Sequence, residues 1–484
     1  MFVGLDLGTS GLRALLVDAD QNTVAVSEAE YGTGHPASGW SEQAPQDWIE
    51  ACTTVLKDLC QQAPQGMAAL QGIGCSGHMH GATLLDAEAQ VLRPCIMWND
   101  TRSADQAATL DTQTEVRRLS GNIVFPGFTA PKLLWVAQNE PEIFARVAKV
   151  LLPKDYITFW LTGDFTSDMS DSAGTSWLDV GARDWSDPLL AAGGMQKDQM
   201  SQLFEGSEIA GTIRPALATE LGLPQGVSVA AGAGDNAAAA CGIGALQEGD
   251  GFVSLGTSGV ILAARDRFAP QPESAVHTFC HAIPDTWYQM GVILAATDSL
   301  NWLSRNLQRD PAQLTALLGD CLTAPGRVQF LPYLSGERTP HNDSAIRGAL
   351  INLDISSDQA DLTRAVIEGV SFALRDSFEA LKSTGARLDS VIAIGGGSQS
   401  PYWLELIATV LGLPVQLPAQ GEFGAALGAA RLAICGVTGR PPAEVMTKPE
   451  IATIITPRAD LADAYEEAYA AYKKLYPCLK GLTR

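Results

Sequence analysis

No run of about 18 apolar residues occurs in the chain, which is the length a membrane-crossing helix needs. It opens directly on an apolar strand, without the basic segment and apolar stretch of a secretory leader, so a soluble, cytoplasmic protein is expected. Nine cysteines, at 52, 60, 75, 95, 241, 280, 321, 435 and 478, form no C-x-x-C pair and no regular spacing. They read as reduced core residues rather than a disulfide framework. Positive charge is scarce: 32 Lys and Arg stand against 54 Asp and Glu, a net charge of -22 with no basic patch. That balance repels a polyphosphate backbone and argues against nucleic acid as a partner. ATP is a different case, because backbone N–H groups and a magnesium ion, rather than net charge, hold the phosphates in many nucleotide sites.

What is present is an ordinary globular composition, 46% hydrophobic and 18% charged, spread over 484 residues. A single core stops growing near about 250 to 300 residues, so two large domains are expected. Apolar runs at 2–7 and 12–17 flank Gly8-Thr9-Ser10-Gly11, a strand–turn–strand signal, and a third strand follows at 23–26. Trp48, Ile49, Cys52, Val55, Leu56 and Leu59 recur at helical spacing behind Pro45. Strands at 72–75 and 82–85 bracket the loop Ser76-Gly77-His78-Met79-His80-Gly81. Strands alternating with helices make the fold class α/β. The second half repeats the theme, with strands at 251–255 and 260–264 around Gly256-Thr257-Ser258-Gly259. The pentapeptide L-G-T-S-G thus occurs twice, at 7–11 and 255–259, and implies an internal duplication into two related domains. Later, a helix is expected over 361–381, entered through Ser357 and Asp358. A buried strand at 391–394 runs into Gly395-Gly396-Gly397, and Ser400 caps a helix that starts on Pro401 and stops at Gly412. Strand, glycine loop and helix start make a nucleotide-sized platform.

Candidate functional residues follow from this layout. Asp6 ends the first strand beside the glycine hairpin, where a carboxylate suits magnesium, an ion of oxygen ligands and retained waters; a plain turn aspartate is the alternative. The second copy has Ser254 at that place, so only one half supplies the acid. Asp235, in A-G-A-G-D-N, is an exposed-end acid in a setting of small residues that lets a ligand approach. It suits the acceptor of a hydroxyl proton, with capping of the alanine-rich segment behind it as the structural alternative. His78 and His80, at i and i+2 without nearby Cys or acids, make a weak zinc site, and sugar recognition by His80 fits better. Trp98, Asn99, Asp100 and Arg102 combine an apolar face with hydrogen-bonding groups, as a sugar site or as a structural Asp–Arg pair. The glycines at 395–397 read as a flexible loop or a phosphate loop, and Gly424 to Ala430, in F-G-A-A-L-G-A-A, as close helix packing or a border of the adenine.

Several separated motifs go further: D-L-G-T-S at 6–10, G-F-T-A-P-K-L-L-W at 127–135, L-L-P-K-D-Y at 151–156, S-D-M-S-D at 167–171, G-D-N at 234–236 and F-L-P-Y-L-S-G-E-R-T-P at 330–340. With them the chain resembles the FGGY family of carbohydrate kinases, and within it the bacterial xylulokinase branch, over all but the last fifty or so residues. The resemblance implies two ribonuclease-H-like domains of the actin and hexokinase type flanking a cleft, divided as 1–245 for sugar and base and 246–484 for ATP. It implies Asp235 as catalytic base, Asp6 as the acid near Mg2+ with Asp235 opposite, and Gly8, Thr9, Ser10, Gly256, Thr257, Ser258, Gly396 and Gly397 as nucleotide contacts. Met79, His80, Trp98, Asp100 and Asn236 become the sugar set. Glycerol kinases carry an arginine and an acid where this chain has Met79-His80-Gly81, so the loop points to D-xylulose phosphorylated at its 5-hydroxyl. Ribulose, gluconate or fuculose, or a non-catalytic actin-like role, are the alternatives, and a homodimer is common among such proteins. One departure stands out: relatives commonly have three glycines where this chain has A-G-A-G before Asp235, which leaves the acid in place.

Overall fold

The computed structural model describes residues 1–419 and 424–482, so Phe423 of the F-G-A-A-L-G-A-A run lies outside the described residues. In the N-terminal half the chain runs β1 (Phe2–Leu7), β2 (Gly11–Val17), β3 (Thr23–Glu30), α1 (Pro45–Gln62) and β4 (Gly72–Gly77). It continues through α2 (Pro153–Thr162), β5 (Ile209–Thr212), β6 (Ser228–Ala230), β7 (Ala233–Gly234) and α3 (Asp235–Ile243). The C-terminal half brings β8 (Gly251–Leu255), β9 (Gly259–Arg265), β10 (His277–Cys280), β11 (Trp287–Ile293), α4 (Thr297–Leu307) and α5 (Gln359–Ser383). Then come β12 (Val391–Ile394), α6 (Pro401–Leu411), β13 (Val415–Pro418), α7 (Ala425–Thr438) and β14 (Ile451–Ile455).

The duplication signalled by L-G-T-S-G appears in the sheets. The first has the order β5-β6-β4-β1-β2-β3, with β7 also paired to β4; the second has the order β10-β11-β9-β8-β12-β13-β14. Each centres on an antiparallel hairpin, β1–β2 or β8–β9, whose first strand pairs in parallel with a later one, β4 or β12. A further parallel strand and an antiparallel edge complete the far side of each. The near-continuous apolar strands FVGLDL and VIAI are buried along almost their whole length between helical layers.

Local chemistry sets the helix ends. Asp358 caps α5 by accepting from Ala360 N at 2.9 Å and Asp361 N at 3.0 Å. Ser400 caps α6, with Pro401 in its first turn, and Gly412 ends it in the left-handed region at φ 68°. Strand β3 runs four residues past the expected Val26, because Glu28 and Glu30 continue the pairing with β2 as an edge strand with exposed polar positions.

The halves interlock. Helix α7, from the C-terminal half, lies across β1 and β4 of the N-terminal sheet and packs along α3. A Cβ on Gly4 would stand 1.8 Å from the Ala426 carbonyl oxygen, one on Gly74 1.9 Å from that of Ala429, and one on Gly428 1.8 Å from that of Ala238. Arg431 pins this seam, donating to the carbonyls of Cys241 and Gly242 at 2.9 Å each and to Gln21 Oε1 at 2.7 Å. Since the clash is with backbone, Gly74→Ala is expected to cost about 3 kcal/mol, the upper part of the overpacking range. Thermal unfolding checks it: the melting temperature should fall by several degrees, and an unchanged value would contradict this packing.

Candidate active site

Asp6, Ser76 and Asp235 meet because they sit at the carboxyl ends of adjacent parallel strands. Asp6 is in register with Ser76 across β1–β4, and Ala233 and Gly234 of β7 pair with Ser76 and Gly77, delivering Asp235 as the first residue of α3. Asp6 Oδ1 accepts from Ser76 Oγ at 2.7 Å, and Oδ2 takes no hydrogen bond from a described residue. Asp235 is held by its neighbour, Asn236, through the backbone N at 2.7 Å and Nδ2 at 2.8 Å. It does not cap α3 from outside, because Gly234 occupies that position. Both carboxylates keep a partly open face while lying deep between the halves. Burial, and after it the Asp6 charge, push Asp235 up to about 7 against the pull of Asn236. Burial also raises Asp6, opposed by Ser76 and Arg13.

The two glycine turns leave donors open. Gly8 N closes its hairpin on Gly11 O at 2.9 Å, and the carbonyls of Gly8, Thr9 and Ser10 accept from Tyr31 Oη, Gln43 Nε2 and Tyr31 N. The N–H groups of Thr9 and Ser10 donate to no described residue. In the second turn Gly256 O accepts from Thr297 N at 2.9 Å and Thr297 Oγ1 at 2.7 Å, and Thr257 O from Ala296 N at 2.8 Å. Here too the N–H groups of Gly256, Thr257 and Ser258 find no acceptor among the described residues. Gly396 and Gly397, after β12, line a cavity of about 610 Å³ with Thr297, Asn301, Ala316 and Tyr402.

The loop after β4 and its surroundings form the other end of the site. His80, at φ 71°, stacks on Phe128 with ring centroids 4.6 Å apart, and its Nδ1 is 2.8 Å from Gly174 O, while Nε2 has no partner among the described residues. Burial drives its pKa well down, so the ring is neutral. Met79 lies against Gly234 and accepts from Tyr288 Oη at 3.8 Å. Trp98 Nε1 donates to Thr9 Oγ1 at 3.1 Å and so ties this end to the first hairpin. Asp100 stands apart from the open faces: it is buried, and its oxygens bind Arg102 Nε and Nη2 and Ser41 N. His78 and His80 do not converge on a common point with acids or thiols; no group of three or more His, Cys, Asp or Glu suited to an ion occurs among the described residues.

Beneath Asp235 lies a cluster that motif reading did not resolve into roles. Lys154 Nζ reaches Asp155 at 2.5 Å and Asp168 at 2.8 Å, all buried. Burial alone would lower this ammonium, but Asp155, Asp168 and Asp171 outweigh it and hold it charged. Asp168 Oδ2 accepts from Ser170 Oγ at 2.5 Å, and that hydroxyl accepts in turn from Gly234 N at 3.1 Å, directly before Asp235. The strings L-L-P-K-D-Y and S-D-M-S-D contain these residues, but only the folded chain brings them together.

Models of the N- and C-terminal domains of the FGGY family of carbohydrate kinases match residues 1–242 and 251–437. The chain belongs to this family. As an FGGY kinase it is 43% identical, over the full length of both chains, to a xylulose kinase of Escherichia coli. Among solved structures the FGGY kinase resembles a xyloylose kinase from Brucella ovis, with a TM-score of 0.96, 57% identity and 99% of each chain covered. It also resembles a xylulose kinase from Rhodospirillum rubrum, with a TM-score of 0.90, 29% identity and 99% of each chain covered. No helix of the described residues is long and apolar enough to cross a membrane.

Proposed function

We propose that this FGGY kinase transfers the γ-phosphoryl group of ATP to D-xylulose, forming D-xylulose 5-phosphate, with Asp235 as general base. The observation that carries the mechanism is the Asp235 carboxyl held at about 7, at a strand end beside Asp6 and the open glycine hairpin. A base poised near the working pH takes a hydroxyl proton most effectively. The choice of sugar is supported by full-length relatives that are xylulose kinases and by the Met79-His80-Gly81 loop.

In this reading Met79, His80, Trp98 and Asn236 line the sugar, and Asp100 braces the Trp98 loop through Arg102. The N–H groups of Thr9 and Ser10, next to Gly8, and those of Gly256, Thr257 and Ser258 bind phosphate oxygens. The cavity at Gly396 and Gly397 has the size of a nucleoside site. The division into sugar and ATP domains at 245/246 is supported by the gap between the two matched segments. Asp6, whose Oδ2 takes no hydrogen bond from a described residue, and Asp235 across from it suit magnesium, which takes few protein oxygens and completes its shell with water and phosphate. When bound, the ion would neutralise phosphoryl charge. Asp235 accepts the 5-hydroxyl proton as that oxygen bonds to the γ-phosphorus and the bond to the ADP oxygen breaks.

Coupled ADP release with magnesium-ATP across D-xylulose, D-ribulose, L-ribulose, L-fuculose, gluconate and glycerol tests the reading. D-xylulose is expected to give the highest kcat/KM. A higher value for another sugar would overturn the substrate, and no stimulation by any sugar would overturn the kinase reading.

A further inference from the structure

The G-E-R-T-P segment at 336–340 has no part in the mechanism above, yet it is anchored on both sides of its arginine. The Glu337 carboxyl, 2% exposed, accepts from Leu294 N at 3.1 Å and from Arg338 N at 2.8 Å. Thr339 N donates to Val292 O at 3.1 Å, and the Thr339 hydroxyl donates to Ala275 O at 2.9 Å and accepts from Val292 N at 3.1 Å. With the backbone fixed, the Arg338 side chain crosses from the C-terminal half to the loops of the N-terminal half. Its guanidinium carbon lies 5.9 Å from the Trp98 ring centroid and 5.5 Å from that of Phe125, beside Gly127.

This guanidinium makes no hydrogen bond or ion pair with a described residue. Burial lowers its pKa to about 10, which leaves it charged at neutral pH. Arg338 is only half-buried, and its unpaired guanidinium donors stay open to solvent, where a ligand can reach them. His277 packs against Phe125 at the same end of the site. It is fully buried, its ring centroid is 4.9 Å from that of Phe125, and neither ring nitrogen has a partner among the described residues.

The position along the site selects what Arg338 meets. Arg338 lies against the Trp98 and Phe125 rings, and Phe125 packs on Phe128, which stacks on His80, with ring centroids 5.4 Å and 4.6 Å apart. Arg338 therefore stands at the Trp98 and His80 end of the site. A sugar whose 5-hydroxyl meets Asp235 presents its opposite end there. In a 2-ketose that end carries the C2 carbonyl and the C1 hydroxyl, two adjacent acceptors matched to a forked donor.

We propose that Arg338 binds the substrate directly, donating to the C1–C2 hydroxyketone end of the sugar, and so selects a ketose over the corresponding alditol. The proposal rests on the reading of this site as a D-xylulose site. It is tested by kcat/KM for D-xylulose and for xylitol in the wild type, Arg338→Met and Arg338→Lys, with inhibition constants for xylitol if its turnover is too slow to follow. Hydrogen bonds to a charged group are worth about 1.5–3 kcal/mol, so the preference for D-xylulose over xylitol should fall about 10- to 100-fold in Arg338→Met. The loss should appear more in KM than in kcat. Arg338→Lys, which keeps the charge without the fork, should lie between and covers the case in which the methionine variant does not fold. A preserved ratio, with both substrates unchanged or both weakened equally, would overturn the role of Arg338. A wild type inactive on D-xylulose would instead remove the substrate reading and this proposal with it.

Discussion

Asp235→Ala is expected to lower sugar-dependent ADP release by about 10²- to 10⁴-fold while D-xylulose still binds. The reason is local: the alanine keeps Gly234 on β7 and the start of α3, and leaves Met79, His80 and Trp98 where they are, but no acceptor remains for the hydroxyl proton. The wild type should show the same group in its pH profile. A base with a pKa of about 7 is protonated and inactive below that value. The kcat/KM for D-xylulose should therefore fall about tenfold per pH unit on the acid side of 7, and flatten above it. Turnover within threefold of wild type in the alanine variant, or a flat profile between pH 5 and 8, would remove Asp235 from this role.

Lys154→Met is expected to destabilise the protein by about 3–5 kcal/mol, because it strands buried carboxylates that the ammonium neutralises. The sign of the pH dependence follows from the environment. In the intact protein burial already raises the Asp155 and Asp171 carboxyls against the pull of Lys154; removing that charge takes the opposition away and leaves them more fully protonated in the folded state at pH values where they ionise in the unfolded chain. The folded state then binds more protons, so stability falls as pH rises above the unfolded carboxylate range. Thermal unfolding of wild type and variant at pH 5.5 and pH 8 reads this directly. The deficit in melting temperature should be larger at pH 8; an equal or smaller deficit there would contradict the account. Through Ser170 and Gly234 the cluster also supports the backbone before Asp235, so residual activity of the variant should fall with its stability.

Much of the architecture was legible because it depends on local signals. The repeated L-G-T-S-G marks two hairpins, and each proves to be the centre of a sheet with the same order of parallel and antiparallel partners. Caps such as Asp358 and Ser400 act within three residues of themselves, and the helices begin where those side chains stand. What was hidden depends on contacts between distant segments. The alanines and glycines of α7 signal close packing, but nothing in their order says that the partner is the first sheet, more than 350 residues earlier by the numbering of Gly4 and Gly74 against Ala426 and Ala429. Asp100 beside Trp98 read equally as a sugar contact or as the partner of Arg102; the fold pairs it with Arg102 and with Ser41, 59 residues earlier, a contact that no local signal marks. Lys154 and Arg338 were visible only as letters in motifs; the acids around one, and the lack of a polar partner for the other among the described residues, emerge only after folding.

The most direct test of the account is the phosphorus NMR spectrum of the product formed from D-xylulose and magnesium-ATP. The account predicts one sugar phosphate monoester whose phosphorus couples to the two C5 protons, formed in step with ADP. Inorganic phosphate alone, or an ester on another carbon, would contradict it.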